Sequence, residues 1–243
     1  MAMPHNDLTG LGLYLGYFVA TGVPAILLKV FFNVPFEVIR KIYHMVITLS
    51  IFPLVTVFST WYAAVGSIAL FAVIVYPILK RVEHASAYRR IAVERKGGEF
   101  KSSLMIVQAS MALLIFIFWG LLGAEWKYIV VVAVMAWGLG DAAAALVGKA
   151  IGRRRVRHRM VQGAKTYEGT LAMFFTAALA MFLTLVVYAG QSWHVSLAVA
   201  LLVAPVCALV ELFSNGGIDT ITVPISAGIS VLSWMLLFSF LGV

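Results

Sequence analysis

Four of the ten acids in this 243-residue chain stand within or at the ends of apolar stretches. Asp141 lies inside an apolar stretch, about two turns before Lys149, and an ionisable group at such depth marks function by default. Gly138 and Gly140 beside it suit a helix that is opened or closely approached there. The plainer alternative is a carboxylate paired with a nearby arginine for packing. A basic segment, Lys149 to Arg159, follows, and then Lys165 and Glu168. Three residues apart, these two are expected to share one face of a helix start, where free N–H groups also attract an anion. Taken alone they read as a simple ion pair. Glu211 and Asp219 flank Ser214-Asn215-Gly216-Gly217, a turn that returns two carboxylates to one interface. With Asp141 they offer the oxygen donors Mg²⁺ takes when it keeps several waters and bridges phosphates. The whole grouping suits a metal and phosphates held at a membrane surface.

Such residues need a scaffold, and composition names its class. With 63% hydrophobic and 12% charged residues and a mean hydropathy of +1.00, the chain is too poor in charge for a soluble globule, where roughly a quarter of residues are charged. It reads as all-α, a polytopic membrane helix bundle forming one integral domain over residues 1–243. Met1 to Thr9 holds no Lys or Arg, so the first apolar stretch is expected to remain as a span and not to be cleaved. Uncharged runs place spans at Leu8 to Leu28, Leu104 to Leu122, Tyr128 to Gly148, Gly169 to Ala189, Val195 to Val210 and Thr222 to Leu241. Met45 to Leu79 is 35 residues without a charge, about 50 Å as helix and too long for one crossing. It must turn once, at Phe58-Ser59-Thr60-Trp61, with Pro53 kinking its first half. The total is about eight.

Eight spans also sort the charges. Lys29, Arg40, Lys41, the seven cations from Lys80 to Lys101 and the seven from Lys149 to Lys165 then share one face, leaving Lys127 opposite. Basic loops favour the cytoplasmic side, so the acids are expected at a cytoplasmic boundary with both termini outside. The net charge of +8 suits anionic headgroups or a polyphosphate, with nucleic acid ranking behind both. Within Lys80 to Ser103 the apolar residues Val82, Ala85, Tyr88, Ile91 and Ala92 recur at helical spacing, which predicts an amphipathic helix on the membrane surface. A solvated basic loop is the plain alternative. Ala142 to Ala145, Gly148 and Gly152 keep one face small, which close helix packing explains equally well. Cys207 alone excludes an internal disulfide and a cysteine metal cluster. Gly138 to Ala143 matches a dinucleotide fingerprint on paper, yet no strand precedes it. Gly148-Lys149 followed by Ala150 is no phosphate loop of the nucleotide-hydrolase kind.

Gly140-Asp141 with Gly148 and Gly152, Lys165-Thr166-Tyr167-Glu168-Gly169-Thr170, and Glu211 with Asp219-Thr220-Ile221-Thr222-Val223-Pro224 resemble the membrane polyprenol kinase family. That family includes dolichol kinase, phytol kinase and the CTP-dependent diacylglycerol kinase, and is distantly similar to phosphatidate cytidylyltransferase. Arg40-Lys41-Ile42-Tyr43-His44 resembles its early basic-histidine motif. Thr220 departs from the pattern, which usually has Asn after the last acid. The resemblance implies phosphoryl transfer from CTP to a lipid alcohol, an isoprenoid alcohol or diacylglycerol, with Mg²⁺ at the cytoplasmic face of a cell membrane.

On that reading Asp141 and Asp219 bind the metal, and Lys165 with the Arg153 to Arg159 run grips the phosphates. Glu168 or Glu211 orients the hydroxyl, while Arg40, Lys41 and His44 close the site from the second span. The nucleotide-binding set implied is Arg40, Lys41, Gly140, Gly148, Lys149, Gly152, Arg153, Arg154, Lys165 and Thr166. Positioning and charge neutralisation suffice for such a reaction. The partners implied are a membrane lipid, a nucleotide and, optionally, a second copy of the chain. Two other readings are open. One is a cytidylyltransferase forming a CDP-lipid, which the same groups would serve. The other is an ion-coupled transporter, against which stand the absence of an inverted repeat and the gathering of polar residues at one face.

Overall fold

The computed structural model describes residues 7–84, 88, 92, 99–161 and 165–242. Eight of its helical segments are long and apolar enough to cross a membrane, and among the described residues no strand forms beyond one isolated bridge. The stretch expected to hold the amphipathic surface helix falls largely outside the described residues.

The chain divides into two compact units, 1–121 and 122–243. Unit 1 holds α1 (Asp7–Phe31), α2 (Phe36–Leu49), α3 (Ile51–Thr56), α4 (Trp61–Val82) and α5 (Glu99–Leu114), the last running on as a wider π-helical segment, Ile115–Leu121. The uncharged run from Met45 to Leu79 turns where Phe58 to Trp61 predict it, between the ends of α3 and α4. The interruption between α2 and α3 falls at Ser50, three residues before Pro53. Proline has no N–H to donate and its ring crowds the carbonyl four residues earlier, so the helix gives way just upstream of it. The Asp7 carboxylate accepts the Ser59 N–H and the Thr60 hydroxyl, each at 2.8 Å, tying the start of α1 to that turn.

Lipid offers helices no hydrophobic drive to associate, so van der Waals packing and polar contacts between helices hold them. Tyr14, fully buried, stands edge-on to Phe18, whose ring stacks on Phe71 at 4.5 Å. Its hydroxyl donates to Gln108 Oε1 at 3.3 Å. Ser50, freed by the break, bonds back to the Ile47 carbonyl at 2.6 Å and meets Met111 Sδ at 4.0 Å. Polar contacts thus join α1 to α5, and the α2–α3 break to α5.

Unit 2 holds a short 3₁₀ turn (Ala124–Trp126), α6 (Tyr128–Ala150), α7 (Tyr167–Leu183) with a π-helical end (Thr184–Tyr188), α8 (Trp193–Phe213) and α9 (Asp219–Phe240). From Ile129 to Gly138 every residue of α6 is buried, so this segment is apolar all round and serves as the unit's core. The chain direction alternates, which sets the end of α6, the start of α7, the end of α8 and the start of α9 at one end of the unit. Glu168, Glu211 and Asp219 lie in those segments, and Asp141 stands further along α6, about two turns before Lys149.

Candidate active site of unit 2

The site is built on a close helix crossing. A Cβ on Gly148 would lie 3.1 Å from Thr166 Oγ1 and 3.7 Å from the Gly169 Cα, and one on Gly169 would lie 2.9 Å from the Ala144 carbonyl oxygen. Side chains at either position would push α6 and α7 apart. Gly140 meets Met173 and Ala177 of α7, and Gly152 packs under Thr166 against the Gly148 carbonyl. The three glycines expected to face a nucleotide therefore face protein on at least one side.

After α6 the chain turns back on the entrance to α7. Arg155 and Thr166 form an antiparallel bridge. Val156 N–H donates to the Lys165 carbonyl and Tyr167 N–H to the Arg154 carbonyl, each at 3.0 Å. Thr166 is the N-cap of α7, buried, with its hydroxyl accepting the Gly169 N–H at 3.1 Å. That is the ordinary service of a threonine at a helix start, where several N–H groups lack a partner within the helix.

The cap corrects one expectation. Because α7 begins at Tyr167, Lys165 lies outside it, and the two charges have no helical face to share. Glu168 instead accepts the Arg153 N–H at 3.1 Å and the Arg154 N–H at 3.3 Å, holding the basic loop against the helix start. Lys165 turns the other way, to Glu211 Oε1 at 2.9 Å, the Glu211 carbonyl and the Ser214 carbonyl at 3.1 Å.

Glu211 is only 8% exposed and lies within electrostatic range of Lys165, Asp141 and Asp219. Of the residues expected from the sequence, Lys165 and Glu211 are thus in contact, and Asp141 and Asp219 act on Glu211 through their charge. The turn after α8 carries positive φ angles at Gly216 (63°) and Gly217 (86°), which favour residues without a Cβ. Asp219 follows in the first turn of α9. Asn215 Nδ2 donates to the Met160 carbonyl at 3.3 Å, and the His158 ring stands edge-on to Phe213, so the basic loop also rests on the end of α8. Arg153, Arg154, Arg155, Arg157 and Lys149 are exposed. The parts played by Ser214 and Met160 as acceptors pass through their backbone carbonyls, and residue types carry no signal for those.

Among the described residues no three His, Cys, Asp or Glu side chains converge as a metal cage. Asp141 and Asp219 each act electrostatically on Glu211, and two carboxylates of this kind are donors that suit a hard cation leaning on water and substrate phosphates, not one held by protein alone. Arg40, Lys41 and His44 all stand on α2 of unit 1. There Arg40 bonds Glu37 at 3.0 Å, Lys41 is buried, and His44 lies one turn on from Arg40.

No family model and no solved structure matches the chain. A stretch of 114 residues is 40% identical to a phytol kinase of Synechocystis sp.. The match takes in 46% of this chain and 45% of that protein's length, so the chain spans about half of the curated relative. Over that stretch the chain is similar to a phytol kinase, and the four acids and the arginine loop lie in unit 2.

Proposed function

We propose that the protein is a membrane lipid kinase that transfers the γ-phosphoryl group of CTP to the hydroxyl of a lipid alcohol at the cytoplasmic face. The observation that carries the reading is the exposed arginine loop held by Glu168 at the start of α7 and resting on the end of α8, where the buried Glu211 pairs with Lys165 in the electrostatic reach of Asp141 and Asp219, and the similarity to a phytol kinase supports the same chemistry. An isoprenoid alcohol such as phytol or a polyprenol is the substrate class in view, with diacylglycerol the alternative. In the reaction the lipid oxygen bonds to the γ-phosphorus, the bond from that phosphorus to the β–γ bridging oxygen breaks, and CDP leaves. Such transfers ask the protein for positioning and charge, and for little covalent help. Asp141 and Asp219 would hold Mg²⁺, which supplies neutralisation of the phosphoryl charge. Lys149 and the Arg153 to Arg159 run would face the nucleotide phosphates. Glu211 is buried and ion-paired, so Glu168, half-buried beside the loop, would be the carboxylate that orients an incoming hydroxyl, whose proton would leave to water.

CTP labelled at the γ position, incubated with the purified chain and a panel of lipid alcohols, should label an extractable lipid, and CTP labelled at the α position should not. Label from the α position would mean nucleotidyl transfer to a lipid phosphate with release of pyrophosphate. Label from neither would remove the kinase reading.

A further inference from the structure

The ammonium of Lys165 has three N–H donors and no more. All three find acceptors within the protein: Glu211 Oε1, the Glu211 carbonyl and the Ser214 carbonyl. The last carbonyls of a helix have no partner within it, and a cation there is favoured by the helix dipole as well. Lys165 therefore sits as the cap of α8. Turning to a phosphate would cost it these bonds and would leave Glu211, nearly buried, without its counter-charge. Asp141 and Asp219 lie in range of that same carboxylate, so the unpaired state would set three acids against one another. The side chains of Arg153, Arg154, Arg155 and Arg157 are exposed instead.

We infer that Lys165 is a positioning residue, which anchors the Ser214–Ile218 turn and through it sets Asp219, and that it does not grip the phosphates. The turn depends on such an anchor. Two of its residues are glycines at positive φ, and its other ties include Ser214 N–H to the Val210 carbonyl at 2.9 Å, Asn215 to the Met160 carbonyl, Ser214 Oγ to Thr222 Oγ1 at 2.8 Å, and Ile218 N–H to the Asn215 carbonyl at 3.2 Å. Lys165 holds the first residue of the turn, and Asp219 opens the helix that follows. A residue that orients a metal-holding carboxylate from behind commonly changes metal affinity by roughly 10- to 100-fold when removed.

The inference rests on the kinase reading for the role of Asp219, and the test separates the two. Lys165→Met keeps length and removes the donors. In the full chain in lipid nanodiscs, its amides from Ser214 to Thr222 should exchange with deuterium faster than those of the wild type. Mn²⁺ binding followed by electron paramagnetic resonance should weaken by roughly tenfold or more, while the KM for CTP should stay within about twofold. A raised KM for CTP with unchanged exchange and unchanged Mn²⁺ binding would overturn the inference and make Lys165 a phosphate ligand. Where Lys165→Met does not fold, Glu211→Gln carries the same test, because it keeps the carbonyl bonds and removes only the ion pair. It should move exchange and Mn²⁺ binding in the same direction by less, and unchanged values would overturn the inference. A wild-type protein that transfers no phosphoryl group from any nucleotide would sink the kinase reading, and the exchange and Mn²⁺ measurements would still decide the place of Lys165.

Discussion

Replacing Gly169 by alanine should destabilise unit 2 by an amount that follows from three contacts. The new Cβ would stand 2.9 Å from the Ala144 carbonyl oxygen, 3.1 Å from Thr166 Oγ1 and 3.4 Å from the Gly148 Cα. Two of these are backbone atoms of the facing helix. The third is a hydroxyl already bound to the Gly169 N–H. None can swing aside as a long side chain would, so α6 and α7 must separate by a few tenths of an ångström. Overpacking of this kind costs about 1–3 kcal/mol. Alanine recovers up to about 1 kcal/mol through its better helix propensity. The net loss is then on the order of 1 kcal/mol, roughly a fivefold fall in the folded-to-unfolded ratio. The matched control is Gly66→Ala in α4, where nothing lies within 4 Å of the added carbon and stability should hold or rise slightly. Thermal unfolding of the purified full chain in detergent, followed by intrinsic fluorescence, measures both. Equal midpoints for the two variants would refute the close crossing and with it this account of why positions 148 and 169 are glycine.

Asp141→Asn keeps shape and removes charge, so turnover should be lost while the thermal midpoint stays near that of the wild type; Glu125→Gln, at the opposite end of unit 2, should leave turnover unchanged. With Cys207 replaced by Ala, single cysteines placed at Arg157 and Ser192 should react with impermeant maleimide from opposite sides of the membrane, and labelling from one side would sink the span order of α7.

The span count is legible because it rests on long uncharged runs, which depend little on tertiary context. The turn at Phe58 to Trp61 is legible for the same reason, being forced by a run too long for one crossing. Ser50 is a finer case: Pro53 announces a defect, and the displacement upstream follows from which carbonyl its ring crowds. The partner of Lys165 was misread, although the sequence held the correction. Thr166 is a good N-cap residue, and reading it as one starts the helix at Tyr167 and takes Lys165 off the face of Glu168. The return of residues 151–161 onto α7 and α8 has no periodicity to announce it, since its bonds run between backbone groups. The π-helical ends of α5 and α7 likewise leave no mark in an apolar pattern. Asp141 is legible for a more robust reason, the cost of charge in an apolar segment, and that cost does not depend on which partner meets it.

The bond between Tyr14 and Gln108 also sets a schedule. Its partners are 94 residues apart in the chain, the first on the opening span of unit 1 and the second on the last. A polar group with no partner in hydrocarbon costs several kcal/mol, so α1 enters the bilayer carrying a donor whose acceptor does not yet exist. At roughly 5–20 residues per second, the ribosome takes about 5–20 seconds to supply it. During that interval the hydroxyl must be served by water, a headgroup carbonyl or a passing insertion factor. The first helix therefore reaches its final seat only when the fourth arrives, and unit 1 locks as a set while unit 2 is still being made.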